Sequence, residues 1–211
     1  HLYRTGGAQG SALLYRLAVE TGLRASELAS LTRSSLELQG PRPTVTIAAR
    51  AAKSRVERTL PLRPGTAQTL QAALGDGLPA ARVFAMPPIY AVAKMLRSDL
   101  ETAGMKYVDG SGRVADFHAL RHTFLTWLKD AQVHPKTAQS LARHSSATLT
   151  LDRYTHISFA QAGGKDGFVD GPSAGTTMTL AIMSHLGDPR LPLSHAGDCP
   201  KDERGRTLHP K

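Results

Sequence analysis

"TVTIAARAAKSRVERTLPL", Thr44 to Leu62, is where the periodicity of this chain changes. Val45 and Ile47 alternate with threonines, a polar and basic turn follows, and Val56 and Leu60 take the apolar positions beyond it. Alternation on both sides of a turn predicts a β-hairpin over roughly Thr44 to Pro61. Outward from it the pattern is helical. Gln9 to Thr21 places Leu13, Leu14, Leu17 and Ala18 on one face and ends at Gly22, and Arg24 to Leu31 resumes with Leu28 and Leu31 inward. On the other side, "RPGTAQTLQAAL" opens with Pro64 and ends near Gly75, and "PPIYAVAKMLRSDLETAGM" predicts a longer amphipathic helix. A Gly-rich loop, "DGSGRVAD", leads to helices at "FHALRHTFLTWLKDA" and "HPKTAQSLARH", and "TLTLDRYTH" predicts one more. The expected fold is mostly α with a small antiparallel β-sheet.

The 211 residues, 41% apolar, suit one domain with an appendage. No apolar run approaches the ~20 residues of a membrane span. The first ten residues lack the charged-then-apolar layout of a signal peptide. The single Cys199 builds neither a disulfide framework nor a Cys-rich zinc site. A cytoplasmic protein without a membrane partner is therefore expected. The chain opens on His1 rather than Met, so a piece of a longer protein is also expected.

Against 17 Asp/Glu stand 26 Lys/Arg, a net charge of +9. Residues 160–211 carry six of each sign, so the whole excess lies in residues 1–159. A basic folded domain favours polyanions, nucleic acid above all, although charge for solubility is the plain alternative. Residues 160–211 also hold eight Gly and five Pro, with only "TTMTLAIMSHL" able to form a short helix. They are expected to be a disordered tail behind a domain at 1–159.

Taken singly, the candidate reactive residues are weak. Arg24 in "TGLRASEL" could be a solvated helix arginine, and Lys53 an ordinary turn lysine. His118 and Arg121 in "FHALRHTF" share a helix face at i, i+3, with His122 facing elsewhere. "LARHSSATLTLDRYTH", Leu141 to His156, places His144 about three helical turns before Tyr154, which directly follows Arg153. No Cys or carboxylate sits at zinc-ligand spacing around the histidines, and there is no Walker loop or carboxylate cluster for magnesium. No cofactor, metal or small-molecule substrate is expected. Together the set suits holding a phosphodiester and attacking it with a phenolic oxygen. Arginine forks pair with phosphate oxygens, and preorganised cations stabilise the extra charge of a pentavalent phosphorane. A lysine can protonate the leaving alkoxide, and tyrosine can form the covalent intermediate.

The sequence resembles the tyrosine recombinases, or phage-type integrases. "TGLRASEL" is similar to the family's first-arginine motif, "AKSRVERTLPL" to its lysine-bearing hairpin, "FHALRHTF" to its His-x-x-Arg motif, "LARHSS" to the motif of its third His/Trp position and "LDRYTH" to its nucleophile motif. The resemblance implies a catalytic-domain fold and fills six positions in family order: Arg24, Lys53, His118, Arg121, His144 and Tyr154. It implies that Tyr154 attacks phosphorus to give a 3′-phosphotyrosyl link while Arg24 and Arg121 bind the non-bridging oxygens. By the same resemblance Lys53 protonates the 5′-oxygen, His118 accepts or orients the tyrosine proton, and His144 donates a hydrogen bond to the phosphoryl group. Glu27 and Asp116 stand either as holders of these side chains or as plain caps and surface charges.

The implied partner is double-stranded DNA, and the implied assembly on two sites is a homotetramer, nucleoid-associated when bound. Relative to the family pattern, the interval from His144 to Tyr154 is one residue longer, the N-terminal core-binding domain is not in these residues, and the tail does not resemble a C-terminal exchange helix. Type IB topoisomerase chemistry is nearly the same, but the "TGLRASEL" spacing argues against it. A non-catalytic DNA-binding remnant is the other alternative.

Overall fold

A computed structural model describes residues 7–144, apart from 53, 76, 109, 111 and 113. Helix α1 spans Gly7–Thr21 and α2 Ala25–Ser30; a 3-10 turn at Arg33–Ser35 leads to β1, Leu36–Glu37. Strands β2, Thr44–Ile47, and β3, Arg58–Pro61, follow. Then come α3, Pro64–Leu74, a 3-10 turn at Ile89–Ala91, and α4, Val92–Thr102. Helices α5, Ala119–Asp130, and α6, Pro135–Ala142, complete the described part. No helix among the described residues is long and apolar enough to cross a membrane.

Helix α1 is the hub. Leu13, Leu14, Leu17 and Ala18 are buried as their spacing predicts, but so are Tyr15 and Val19. The helix is therefore wrapped on most sides, by α5, α3 and α2. Tyr15 on its far flank stays satisfied in this position because its hydroxyl donates to Asp99 of α4 at 2.5 Å. Helix α4 turns Val92, Met95, Leu96 and Leu100 inward, an i, i+3, i+4 stripe on the same core.

The hairpin forms with Val45 opposite Leu60 and Ile47 opposite Arg58. Val45, Ile47 and Leu60 line its buried face, and the Thr46 and Thr59 hydroxyls meet at 3.0 Å on the other. Three details differ from the sequence reading. Val56 is 44% exposed in the long connection rather than inward on β3. The alternation that placed it ignored the irregular turn, whose length breaks the register before Arg58. The short strand β1 adds a third antiparallel strand, pairing Leu36 with Val45. The helix read over Pro87 to Met105 is also shorter: Pro88 starts a 3-10 turn and α4 begins at Val92, as the fixed proline φ delays the regular ladder. The helix read at "TLTLDRYTH" and the tail at 160–211 lie outside the described residues.

Gly22 joins α1 to α2 at φ 61, a left-handed corner that its N–H closes by bonding Ala18 O at 2.9 Å. A Cβ there would lie 2.5 Å from Phe124 Cδ1 of α5. Both the conformation and the contact demand glycine. Gly22→Ala is expected to lower unfolding stability by about 2–4 kcal/mol, combining left-handed strain with overpacking. The urea midpoint measures it, and a shift under half that size would mean that the corner can relax.

Candidate active site

Arg24 occupies the position just before α2, with extended backbone at φ −74 and ψ 156. Its N–H donates to Glu27 Oε2 at 2.8 Å, and its guanidinium Nη1 to Glu27 Oε1 at 3.1 Å. The three-residue spacing in "RASE" thus lets one carboxylate cap the helix and hold the arginine. Glu27 is 1% exposed, whereas the Arg24 side chain keeps 27% of its surface in solvent. The open part of Arg24 is accessible to an anion.

Arg121 comes from α5, nearly a hundred residues later, and is 2% exposed. Helix α5 packs on α1, which carries the guanidinium to the Gly22 corner. There Nη1 donates to Gly22 O at 2.6 Å, and Nη2 donates to Ala142 O at the end of α6. Burial, with Arg143 and Arg24 nearby, pushes its pKa down to about 9, against the opposing pull of Glu27. Even there a guanidinium is charged at neutral pH.

Arg143 is the residue that the sequence reading missed. It follows α6 in the left-handed conformation, φ 57 and ψ 37. Its N–H bonds Ser140 O and the His144 N–H bonds Gln139 O, both at 3.1 Å, the Schellman pattern in which glycine is usual. A non-glycine residue there costs about 1–2 kcal/mol. The guanidinium offsets this cost with donors to Thr21 O at 3.1 Å, Gly22 O at 2.8 Å and Glu27 Oε2 at 3.1 Å. Burial lowers its pKa and Arg24 lowers it further, while Glu27 opposes. The sequence signal was an arginine where a helix stop calls for glycine.

Of the six predicted positions, Arg24 and Arg121 are drawn into this one cluster. His118 stands at the start of α5, one turn before Arg121, and is exposed; His122 does not face elsewhere as expected but meets the His118 ring edge-on at 5.0 Å, because i and i+4 are neighbours on a helix. His144 directly follows Arg143 and is half-buried. Lys53 and Tyr154 lie outside the described residues. The two open carboxylates separate clearly. Glu27 bonds Arg24 and Arg143, whereas Asp116 is exposed and caps α5 by accepting the Ala119 N–H at 2.7 Å. Among the described residues no group of three or more His, Cys, Asp or Glu is placed to hold a metal ion. Arg24 and Arg143 share one carboxylate, and Arg121 lies within electrostatic reach of all three, so net positive charge remains, which favours an anion.

The chain belongs to the phage integrase family, whose model matches residues 7–161. It is 29% identical over 156 residues to tyrosine recombinase XerC of Staphylococcus epidermidis, covering 71% of this chain and 50% of that protein. XerC of Staphylococcus haemolyticus is 28% identical over the same coverage. The chain thus spans about half the length of these curated relatives. In fold it is similar to the Tn1549 transposon integrase solved with a circular intermediate DNA, with a TM-score of 0.58 and 21% identity over 76% of this chain and 59% of that one. It is also similar to the XerH site-specific recombinase solved on its difH substrate, with a TM-score of 0.55 and 20% identity over 74% and 46%. These likenesses identify the fold as that of the tyrosine recombinase catalytic domain.

The different tasks of Glu27 and Asp116 have a measurable consequence. Glu27→Ala leaves buried guanidiniums without their carboxylate and is expected to cost about 3–5 kcal/mol of unfolding stability. Asp116→Ala removes one helix cap and should cost about 1 kcal/mol. Equal losses in parallel denaturant titrations would contradict this division.

Proposed function

We propose that this chain is the catalytic unit of a site-specific DNA recombinase that cuts and rejoins double-stranded DNA through a 3′-phosphotyrosyl intermediate. The observation that carries the reading is the meeting of Arg24 and Arg121, from motifs far apart in sequence, around the Gly22 corner and Glu27. A clamp of preorganised, partly desolvated cations stabilises a phosphorane more than the ground-state diester. Family membership and relatives named as recombinases support the same reading.

In this reaction Tyr154 attacks the phosphorus and the 5′-oxygen leaves. Arg24 and Arg121 hold the charge on the non-bridging oxygens. Lys53 delivers the proton to the leaving oxygen, His118 orients or accepts the tyrosine proton, and His144 donates to the phosphoryl oxygen. The 5′-hydroxyl of a second duplex reverses the step, so exchange takes four protomers on two sites. We assign the catalytic domain to residues 1–159 and a passive tail to 160–211, and place the protein in the cytoplasm, on DNA. The basic excess of residues 1–159 supports that partner.

Two experiments test the roles. A duplex nicked beside its site should trap a covalent protein–DNA adduct in EDTA, and Tyr154→Phe should bind the duplex but leave no adduct. An adduct from the phenylalanine variant would remove Tyr154 from the role. For Lys53→Ala, a substrate with sulfur in the bridging 5′ position should restore cleavage, because a thiolate leaves without a proton. Equally slow cleavage of the oxygen and sulfur substrates would make Lys53 a phosphate contact instead.

A further inference from the structure

We infer that Arg143 is a positioning residue for the clamp: it shares Glu27 with Arg24 and fixes the α1–α2 corner against the end of α6. This role rests on the strand-transfer reading above. The Arg143 side chain is as buried as Arg121, and what sets it apart is its direct bond to Glu27, the carboxylate that also holds Arg24. Its Nη2 reaches Glu27 Oε2, the oxygen that also accepts the Arg24 N–H, while Glu27 Oε1 takes the Arg24 guanidinium. The carboxylate is therefore divided between two cations. With Arg143 absent, Glu27 would neutralise Arg24 alone and lose the second contact that fixes its orientation.

The other donors of Arg143 go to Thr21 O and Gly22 O, the same corner that Arg121 grips. One side chain thereby links the loop before Arg24 to the helix end from which His144 emerges. The task needs a fork. Lysine is a point charge and cannot bond a carboxylate and two carbonyls in a fixed plane. Glycine would relieve the left-handed backbone but make none of these contacts.

The test uses the full 211-residue chain and the variants R143K and R143G. Adduct formation on saturating nicked duplex should slow by about 10- to 100-fold in both, as misplacement of a catalytic group does. Duplex affinity should stay near wild type. In parallel, the Arg24 guanidinium resonances of arginine-15N-labelled chain, assigned by their loss in R24A, should move toward the positions of a solvated arginine in both variants. Wild-type adduct rates in both variants would overturn the inference while leaving the strand-transfer reading intact. A wild-type rate in R143K alone would reduce Arg143 to a bare charge and overturn it too. A chain that forms no adduct would count against the strand-transfer reading, and the resonances would still decide on Arg143: unchanged Arg24 signals overturn its role.

Discussion

The carbonyl oxygen of Gly22 accepts hydrogen bonds from two guanidiniums, Arg121 at 2.6 Å and Arg143 at 2.8 Å. Everything at this end of the molecule depends on that carbonyl pointing where it does. It does so because the chain turns left-handed at φ 61, and only glycine fits beside Phe124. The corner is thus a backbone acceptor placed by sterics, around which side chains from three distant segments are organised. The hydrophobic packing of α1 on α5 brings the first pair together, and α6 on α5 brings the third. A helix interface of ordinary apolar residues therefore sets the geometry of a polar site.

The electrostatics of that site are unfavourable on their own. Arg121 is held near a pKa of about 9 by burial and by Arg143 and Arg24. Glu27 compensates only in part, because it is one carboxylate among three cations. Backbone carbonyls do the rest, satisfying donors without cancelling charge. This distinguishes the cluster from a structural salt bridge, where charge is matched. Net positive charge remains, and the partly exposed Arg24 presents it outward. A phosphodiester is the kind of ligand that such an arrangement stabilises.

The hairpin and the cluster illustrate two ways in which sequence carries structure. Val45, Ile47 and Leu60 announced the sheet because burial on one face imposes a period of two. The same rule misplaced Val56, because a turn of irregular length carries no period. Strand β1 left no signal, since two residues are too few to show alternation. The shortened start of α4 was written in Pro87 and Pro88, whose constraint on the backbone outweighed the apolar pattern around them.

What the sequence determined by itself was the class of fold, the order of its helices and the motifs bearing Arg24, His118, Arg121 and His144. These are local properties: periodicity, caps, glycine stops and residue spacing. It could also name Glu27 and Asp116 as candidates, three residues after an arginine and three before an alanine that opens a helix. It could not separate them, because a cap and a bridge look alike along the chain. Only the tertiary structure buried Glu27 between Arg24 and Arg143 and left Asp116 exposed on its helix. Only it brought Arg143 into contact with a corner more than a hundred residues away. The physical reason is that charge and hydrogen bonding act through space. Which guanidinium shares which carboxylate is fixed when the α1, α5 and α6 faces pack, and no spacing in the sequence encodes that distance.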